Sequence, residues 1–308
     1  MVFPGPGGKR YRTFNSYLRS RFACRVHKIS LDAGFTCPTR DGTKGTTGCI
    51  YCTNQSFSFH TRAGPTSVYE QLESGMQFMR KRFRAEKFIA YFQAFTSTYA
   101  PVHELKAIYD NIKNFPEIVG LFIGTRPDCV PDPVLALIAS YREHYLTWIE
   151  YGLQSSSEET LKRIHRGHGL AEFTDAVART HARGIQVCAH VILGLPGETR
   201  SHMLATADYL GRVQVDGVKL HVLHVLKNTP LAHEYEKRSF PLLSLEEYAA
   251  LACDFLERIP PEMILLRLGA VAPHAQLVGP MWCASKYKAQ AAVDAELERR
   301  DSYQGRLF

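Results

Sequence analysis

Apolar residues recur along this chain in two alternating patterns. Short apolar runs typical of strands occupy residues 88–92, 118–123, 146–151, 185–193, 218–225 and 263–268, and the strand-like segment 25–31 alternates basic and apolar residues. Between these runs, apolar positions recur every three or four residues, as in the segment 68–83, and this spacing predicts amphipathic helices. Strands that alternate with helices in this way indicate βαβ units and a parallel sheet.

Six such units followed by a seventh strand favour a curled sheet over an open one. The expected fold is therefore α/β, a partial (βα)6-type barrel whose ligands bind at the carboxyl ends of the strands. Serine–glutamate capping patterns predict helix starts at Ser67, Ser156 and Ser244, and Asp132 before Pro133 predicts another. We expect a basic N-terminal extension over 1–24, the barrel over 25–270, and a C-terminal extension with a helical tail over 271–308.

Composition narrows the class of protein. The chain has 308 residues, of which 45% are hydrophobic and 22% are charged, as in ordinary globular proteins. The sequence contains no run of 18 apolar residues, so we expect no membrane-spanning helix. The first ten residues lack the apolar core of a signal peptide. Eight cysteines are too sparse for a disulfide scaffold. We therefore expect a cytoplasmic protein without a membrane partner, in which clustered cysteines bind metal or do chemistry.

The positive charge is concentrated near the N-terminus. The net charge is +7, and residues 1–31 contain seven basic residues and no acidic one. Such a field attracts polyanions such as nucleic acid, although it also suits a solubilising surface. Four aromatic residues lie among these cations and suit base stacking: Tyr11, Phe14, Tyr17 and Phe22. Three of them, together with Leu18, also fit one helix face that packs into the core: Phe14, Tyr17 and Phe22. A second basic cluster occupies 80–84.

Three cysteines follow the first predicted strand. Eleven residues separate Cys37 from Cys49, and two separate Cys49 from Cys52, within a loop rich in glycine and threonine. A closed zinc site or a closed four-iron cluster needs four ligands, so three thiolates suit an iron–sulfur cluster with one open iron. Zinc remains an alternative, with Cys24, His27 or His60 as a fourth ligand, and so do unligated core cysteines.

Further motifs extend the comparison beyond the cysteines. An aromatic residue, Tyr51, precedes the last cysteine, as in the radical SAM signature, but the first gap is much longer than the usual three residues. With that long gap, the sequence resembles the YhcC/YtqA-type family, which is related to the radical SAM domain of the Elongator catalytic subunit. The stretches that carry this resemblance are 31–38, 41–45, 91–101, 125–128 and 281–283.

The resemblance implies a radical SAM enzyme. In this superfamily, three cysteines, here Cys37, Cys49 and Cys52, hold a [4Fe-4S] cluster whose open iron binds S-adenosylmethionine (SAM). Reductive cleavage of SAM then gives a 5′-deoxyadenosyl radical that abstracts hydrogen from a substrate. The cofactors supply this chemistry, and the protein supplies their position and shielding.

Polar residues at strand ends correspond to the SAM contacts of related enzymes. Gln154, next to Ser155, and Arg166 twelve residues later have the spacing of the pair that holds the methionine carboxylate. Two residues of a glycine-rich motif after the fifth strand are similar to the adenine side of the site: Ile192 and Gly194. The usual Gly-Gly-Glu motif after the second strand is missing, so two hydrogen-bonding residues there become candidates for the methionine amino group: Gln93 and Thr96.

The remaining features concern partners. No second set of three cysteines predicts an auxiliary cluster, and Cys283 is either a substrate contact or a small buried side chain. Because Elongator's relatives act on wobble uridine, the resemblance implies tRNA as the partner, with a flavodoxin- or ferredoxin-like electron donor. Two alternatives stay open: radical chemistry on a small molecule or peptide, and a non-catalytic zinc or iron–sulfur module that binds RNA.

Overall fold

A seven-stranded parallel sheet forms the centre of the computed structural model, which describes residues 8–53, 66–237, 240–285 and 287–308. His60, a candidate metal ligand, lies outside the described residues. The strands of the sheet lie in chain order: β1 Val26–Leu31, β2 Lys87–Phe92, β3 Ile118–Thr125, β4 Leu146–Gln154, β5 Gln186–Leu193, β6 Gly217–Val222 and β8 Ile264–Leu268. The sheet curls into a half-barrel, which confirms the predicted α/β partial barrel.

Helices alternate with these strands, and a short antiparallel ribbon adds β7 Val225–Leu226 and β9 Leu277–Gly279. The helices are α1 Phe14–Phe22, α2 Val68–Phe83, α3 Val102–Tyr109, α4 Asp132–Ala139, α5 Glu158–Arg163, α6 Leu170–His181, α7 Arg200–Val213, α8 Pro230–Glu236, α9 Leu245–Arg258 and α10 Lys288–Arg299. The outer apolar faces of the strands and the inner faces of these helices form one large buried core.

Local capping decides where several helices begin. The capping boxes at Ser67 and Ser244 are both present. The start of α5 is one residue later than the sequence indicated, because the hydroxyl of Ser157, and not of Ser156, accepts the hydrogen bond from the Thr160 amide. Asp132 is the first residue of α4 rather than its N-cap.

Helix α1 closes the barrel interior at the amino ends of the strands. The ring of Phe14 packs edge-on against those of Phe122 and Trp148, and Tyr17 contacts Trp148 with ring centroids 6.0 Å apart. The Tyr17 hydroxyl donates to the side chain of Gln186 at the start of β5 (2.8 Å). Phe14, Tyr17 and Phe22 are partly buried against the core cluster that contains Leu18, as the helix-face interpretation expects.

Partners within the chain offset much of the N-terminal charge. Lys9 pairs with Asp294 and Arg10 with Asp301, both from the C-terminal segment. Lys28 turns into the barrel and pairs with a buried carboxylate. The excess of cations counted along the sequence therefore overstates the exposed positive charge at this end of the molecule.

Candidate active site

A cavity of about 640 Å³ opens at the carboxyl ends of the strands. All three cysteines of the loop line it, together with residues from the ends of β2 to β6 and β8. The sheet therefore brings the predicted metal ligands to the place where parallel α/β folds bind ligands.

Backbone hydrogen bonds shape the cysteine loop. The carbonyl of Cys37 accepts from the amides of Arg40 and Asp41, and the Cys52 amide donates to the Cys49 carbonyl (3.0 Å). Gly48 has a positive φ of 73°, and a Cβ there would lie 2.8 Å from the Arg40 guanidinium, which donates to the Cys52 carbonyl. Glycine is therefore required where the loop turns back toward its last two cysteines.

An ion-pair cluster holds this loop against the barrel. Arg126, at the end of β3, binds both carboxylate oxygens of Asp128 (2.9 and 3.0 Å), and Lys44 from the loop reaches the same carboxylate (2.6 Å). Burial raises the pKa of Asp128, but hydrogen bonds from Arg126 and Lys44 outweigh it and bring the pKa to about 2. Lys44 also donates to the Gly167 carbonyl (3.0 Å), so the cluster joins three separate loops.

The thiols of the loop have contrasting surroundings. The Thr96 hydroxyl lies 3.0 Å from the Cys37 sulfur. Although burial raises the pKa of Cys37, hydrogen bonds from Thr39 and Thr96 outweigh it and lower the pKa. Burial and the neighbouring Cys49 raise the pKa of Cys52 to about 11. Three thiols that share one cavity are a donor set that a cationic centre would stabilise as thiolates.

The end of β4 carries a bulge that positions two of the predicted SAM ligands. Its pairing with β5 shifts between Gly152 and Gln154, and Gln154 adopts a φ of 81°. Arg166 donates through Nε and Nη2 to the Gly152 carbonyl (3.1 and 2.6 Å) and through Nη1 to the Cys49 sulfur (3.4 Å). Left-handed backbone at a glutamine is a strained arrangement of the kind that clusters at functional sites.

The other predicted SAM contacts divide into two groups. Gln93, Thr96 and Ile192 line the cavity with Gln154 and Arg166. Among the described residues, Ser155 and Gly194 are not part of its lining. The Ser155 hydroxyl bonds to Glu198, and the Gly194 amide contacts the sulfur of Met203 (3.0 Å). Their roles as cofactor contacts remain predictions.

The structure adds residues that sequence reasoning did not single out. Arg126 lies in the stretch 125–128, and its buried Nη1 faces no hydrogen-bond partner among the described residues. A layer of ionisable side chains, which we call the charged layer, occupies the barrel interior: Lys28, Glu150, His190 and Lys219. Charged residues in the middle of otherwise apolar strands were the sequence signal for this layer. Cys283 is fully buried, which suits the small-side-chain interpretation.

Comparison with known proteins identifies the family. The family model of the Radical SAM superfamily matches residues 42–210, and that of the Radical_SAM C-terminal domain matches residues 215–299. The chain belongs to the radical SAM superfamily. It is 40% identical to the uncharacterized protein YtqA of Bacillus subtilis over 97% of this chain and 93% of that protein. It is 39% identical to protein YhcC of Escherichia coli over 94% of this chain and 93% of that protein.

A solved structure shows the same fold in a more distant radical SAM protein. The archaeal Methanocaldococcus infernus Elp3 aligns with a TM-score of 0.70 at 17% identity, over 91% of this chain and 64% of that one. A tRNA uridine(34) acetyltransferase of Dehalococcoides mccartyi is 26% identical over 54% of this chain and 36% of that protein. The chain is thus a radical SAM enzyme whose tRNA-modifying relatives are distant.

Superfamily members use a [4Fe-4S] cluster and SAM, and the cavity suits both. Its three thiols come from one loop. Among the described residues, a compact group that could hold a single metal ion lies deeper in the barrel and includes none of these thiols: Glu150, Cys188 and His190. The Arg166 guanidinium next to the Cys49 sulfur offers the charge that a carboxylate ligand requires. In the described part of the chain, no helix combines the length and apolar character needed to cross a membrane.

Proposed function

We propose that this radical SAM enzyme modifies tRNA, with Cys37, Cys49 and Cys52 as the cluster ligands. The chemistry supplied by the bound cofactors is reductive cleavage of the SAM sulfonium, which yields a hydrogen-abstracting 5′-deoxyadenosyl radical. The observation that carries the proposal is the convergence of the three cysteines with Gln154 and Arg166 on one cavity at the barrel mouth.

The protein's own residues would hold and shield these groups. Arg166, fixed by the Gly152 carbonyl, is directed at the cysteine loop and would receive the methionine carboxylate beside Gln154. Thr96 would hydrogen-bond to the thiolate of Cys37, and with Gln93 it would supply the polar contacts of the methionine amino group. Ile192 would cover one face of the adenine. Ser155 and Gly194 would support these contacts from outside the cavity.

The tRNA assignment is supported by two comparisons with known proteins. The distant acetyltransferase relative is named for tRNA uridine 34, and the fold matches that of an Elp3 protein. In this chain, the basic cluster 80–84 ends α2 and precedes the amino end of β2, so it lies at the opposite end of the barrel from the cysteines. An RNA that contacts this basic cluster and the cavity at once must therefore extend along the outside of the barrel.

Two further properties belong to the proposal. All eight cysteines are free of disulfides, which supports function in the reducing cytoplasm. A one-electron donor is needed to reduce the cluster, and a flavodoxin- or ferredoxin-like protein is the partner we propose.

The radical chemistry is tested with reconstituted protein. Under anaerobic conditions with dithionite, the wild type should convert SAM to 5′-deoxyadenosine, and Cys49→Ala should lose both the cluster and this product. Cys253→Ala is the matched control, because Cys253 is a buried cysteine in α9 away from the cavity. A fully loaded wild type that forms no 5′-deoxyadenosine, or Cys49→Ala protein that still forms it, would refute the assignment.

The tRNA substrate is tested in cells. Nucleosides from the tRNA of a deletion strain should lack one modification, which the wild-type and Cys253→Ala genes restore and the Cys49→Ala gene does not. In vitro, tRNA affinity should fall steeply with salt, since each neutralised phosphate adds to the slope. An unchanged nucleoside profile together with salt-independent binding would favour the small-molecule or peptide substrate. One zinc per chain without labile iron would favour the non-catalytic RNA-binding module.

A further inference from the structure

The charged layer inside the barrel contains more cations than its single carboxylate neutralises. Glu150 is fully buried in the middle of β4, and its two oxygens pair with Lys28 (2.6 Å), Lys219 and His190 (2.9 Å). Two ammonium groups thus share one carboxylate. This ratio is unusual, because each buried charge is costly unless it is paired.

Contacts inside the protein stabilise the buried charge of Lys28. Its ammonium lies over the rings of Phe14, Phe122 and Tyr91, at 4.5, 4.2 and 4.8 Å from their centroids. Three aromatic faces and the Glu150 carboxylate therefore satisfy it. The positive charge of the layer that remains without a counter-ion is then that of Lys219, which lines the cavity.

Further cationic and donor groups face the same part of the cavity. Arg267 of β8 lines it, is exposed, and forms no hydrogen bond or ion pair with a described residue. The buried Nε2 of His221 likewise has no hydrogen-bond partner among the described residues. The His221 ring lies 5.5 Å from that of His190. Arg267 and His221, whose ring can donate through this nitrogen, therefore lie in the same cavity as Lys219 and have no acceptor among the described residues.

The titration of these groups is consistent with crowded positive charge. Burial lowers the pKa of Lys219 to about 7, with Lys28 and Arg267 adding to the effect against the opposing Glu150. Burial and the neighbouring Arg267 also lower the pKa of His221. An anion placed between Lys219 and Arg267 would relieve this repulsion.

A metal ion does not suit this position. The geometric group Glu150, Cys188 and His190 has its ligand atoms within 4.8 Å of one another. Both oxygens of Glu150, however, already bind cationic or hydrogen-bonding partners, and burial raises the pKa of Cys188 above 9. A cation would have to displace the two ammonium groups.

We propose that Arg267, His221 and Lys219 form an anion-binding subsite for an acidic group, a carboxylate or a phosphate, of the substrate portion that enters the barrel. The three side chains share the cavity with the cysteines, so the acidic group would be held close to the radical chemistry rather than at a remote RNA surface. The identity of this anion as substrate rests on the proposed function, whereas anion binding itself does not.

The subsite is tested by calorimetric titration of the cluster-loaded, oxidised protein with malonate, with inorganic phosphate and with uncharged malonamide. At least one anion should bind with a stoichiometry of one, and malonamide should not. Arg267→Gln should weaken that binding by about tenfold or more, because a charged hydrogen bond is lost, while Arg267→Lys should retain part of it. Since Arg267 is exposed, the variants should fold.

Controls separate this subsite from other positive charges. Arg21→Gln removes an exposed arginine from α1 and should leave the affinity unchanged. Binding should persist with saturating SAM, which would occupy the position next to Arg166. A preference for malonate identifies a carboxylate site, and a preference for phosphate a phosphate site. No anion binding, an unchanged affinity in Arg267→Gln, or displacement by SAM would overturn the subsite. SAM cleavage, measured separately, would still decide the proposed function.

Discussion

Removal of the buried carboxylate at Glu150 is the sharpest test of the charged layer in the barrel. Glu150→Gln keeps the shape of the side chain but leaves the ammonium groups of Lys28 and Lys219 without a counter-ion. The carboxyl side chain is fully buried, and those of Lys28 and Lys219 are 18% and 5% exposed. Water can therefore replace little of the lost interaction.

The expected loss of stability follows from this burial. Breaking a buried ion pair by removing one partner costs about 3–5 kcal/mol. A suitable control is Glu117→Gln, because Glu117 also pairs closely with a cation, Arg80, but their side chains are 40% and 44% exposed. An exposed pair contributes about 0–1 kcal/mol. The two substitutions should therefore differ by roughly 3 kcal/mol in the free energy of unfolding.

Urea unfolding followed by circular dichroism, at equal iron loading and pH 7, measures this difference. The cost of Glu150→Gln should also decrease as the pH rises, because the unpaired lysines can then lose their protons. If Glu150→Gln costs no more than Glu117→Gln, or if its cost does not change with pH, then the layer is not held together by charge as described.

Three other substitutions test separate parts of the site. Gly152→Ala would place a Cβ 2.4 Å from the Arg166 guanidinium, so the SAM affinity measured by calorimetry should fall about tenfold or more. Asp128→Asn weakens the attachment of Lys44 and the cysteine loop, so iron should be lost to a chelator faster than from the wild type. The lowered pKa of Lys219 means that the unfolded chain binds more protons between about pH 7 and 10, so stability should rise with pH over this range, and Lys219→Met should lose this rise. If a variant gives the same value as the wild type in its measurement, the role assigned to the altered residue is wrong.

Periodicity was sufficient to predict the fold but not every element boundary. The seven strands, the order of the helices and the capping boxes at Ser67 and Ser244 follow from local patterns. The start of α5 does not, because adjacent serines can both act as N-cap, and Ser156 is instead bound by Thr206 of α7. The apolar run 218–225 reads as one strand, yet it divides because β7 pairs with the distant β9.

The sequence predicted those parts of the candidate site whose residues are close together in the chain. It did not predict the contacts that the sheet forms between distant segments. The cysteine loop is contiguous, so its spacing is visible in the sequence. The contact between Arg126, Asp128 and Lys44 and the pairing of Glu150 with Lys219 join residues far apart in the chain. Whether a strand lysine faces solvent or the barrel interior depends on sheet curvature, which a single sequence pattern does not record.

Helix α1 has a consequence for how other molecules gain access to the reaction centre. With Phe14 and Tyr17 packed against Trp148, the described helix covers the barrel interior at its far end. Among the described residues, the cavity beside the cysteine loop then offers substrate, SAM and products an opening at the other end of the barrel. An electron-donor protein that docks over that opening would compete with a bound macromolecular substrate. Reduction of the cluster and binding of the substrate would therefore have to alternate.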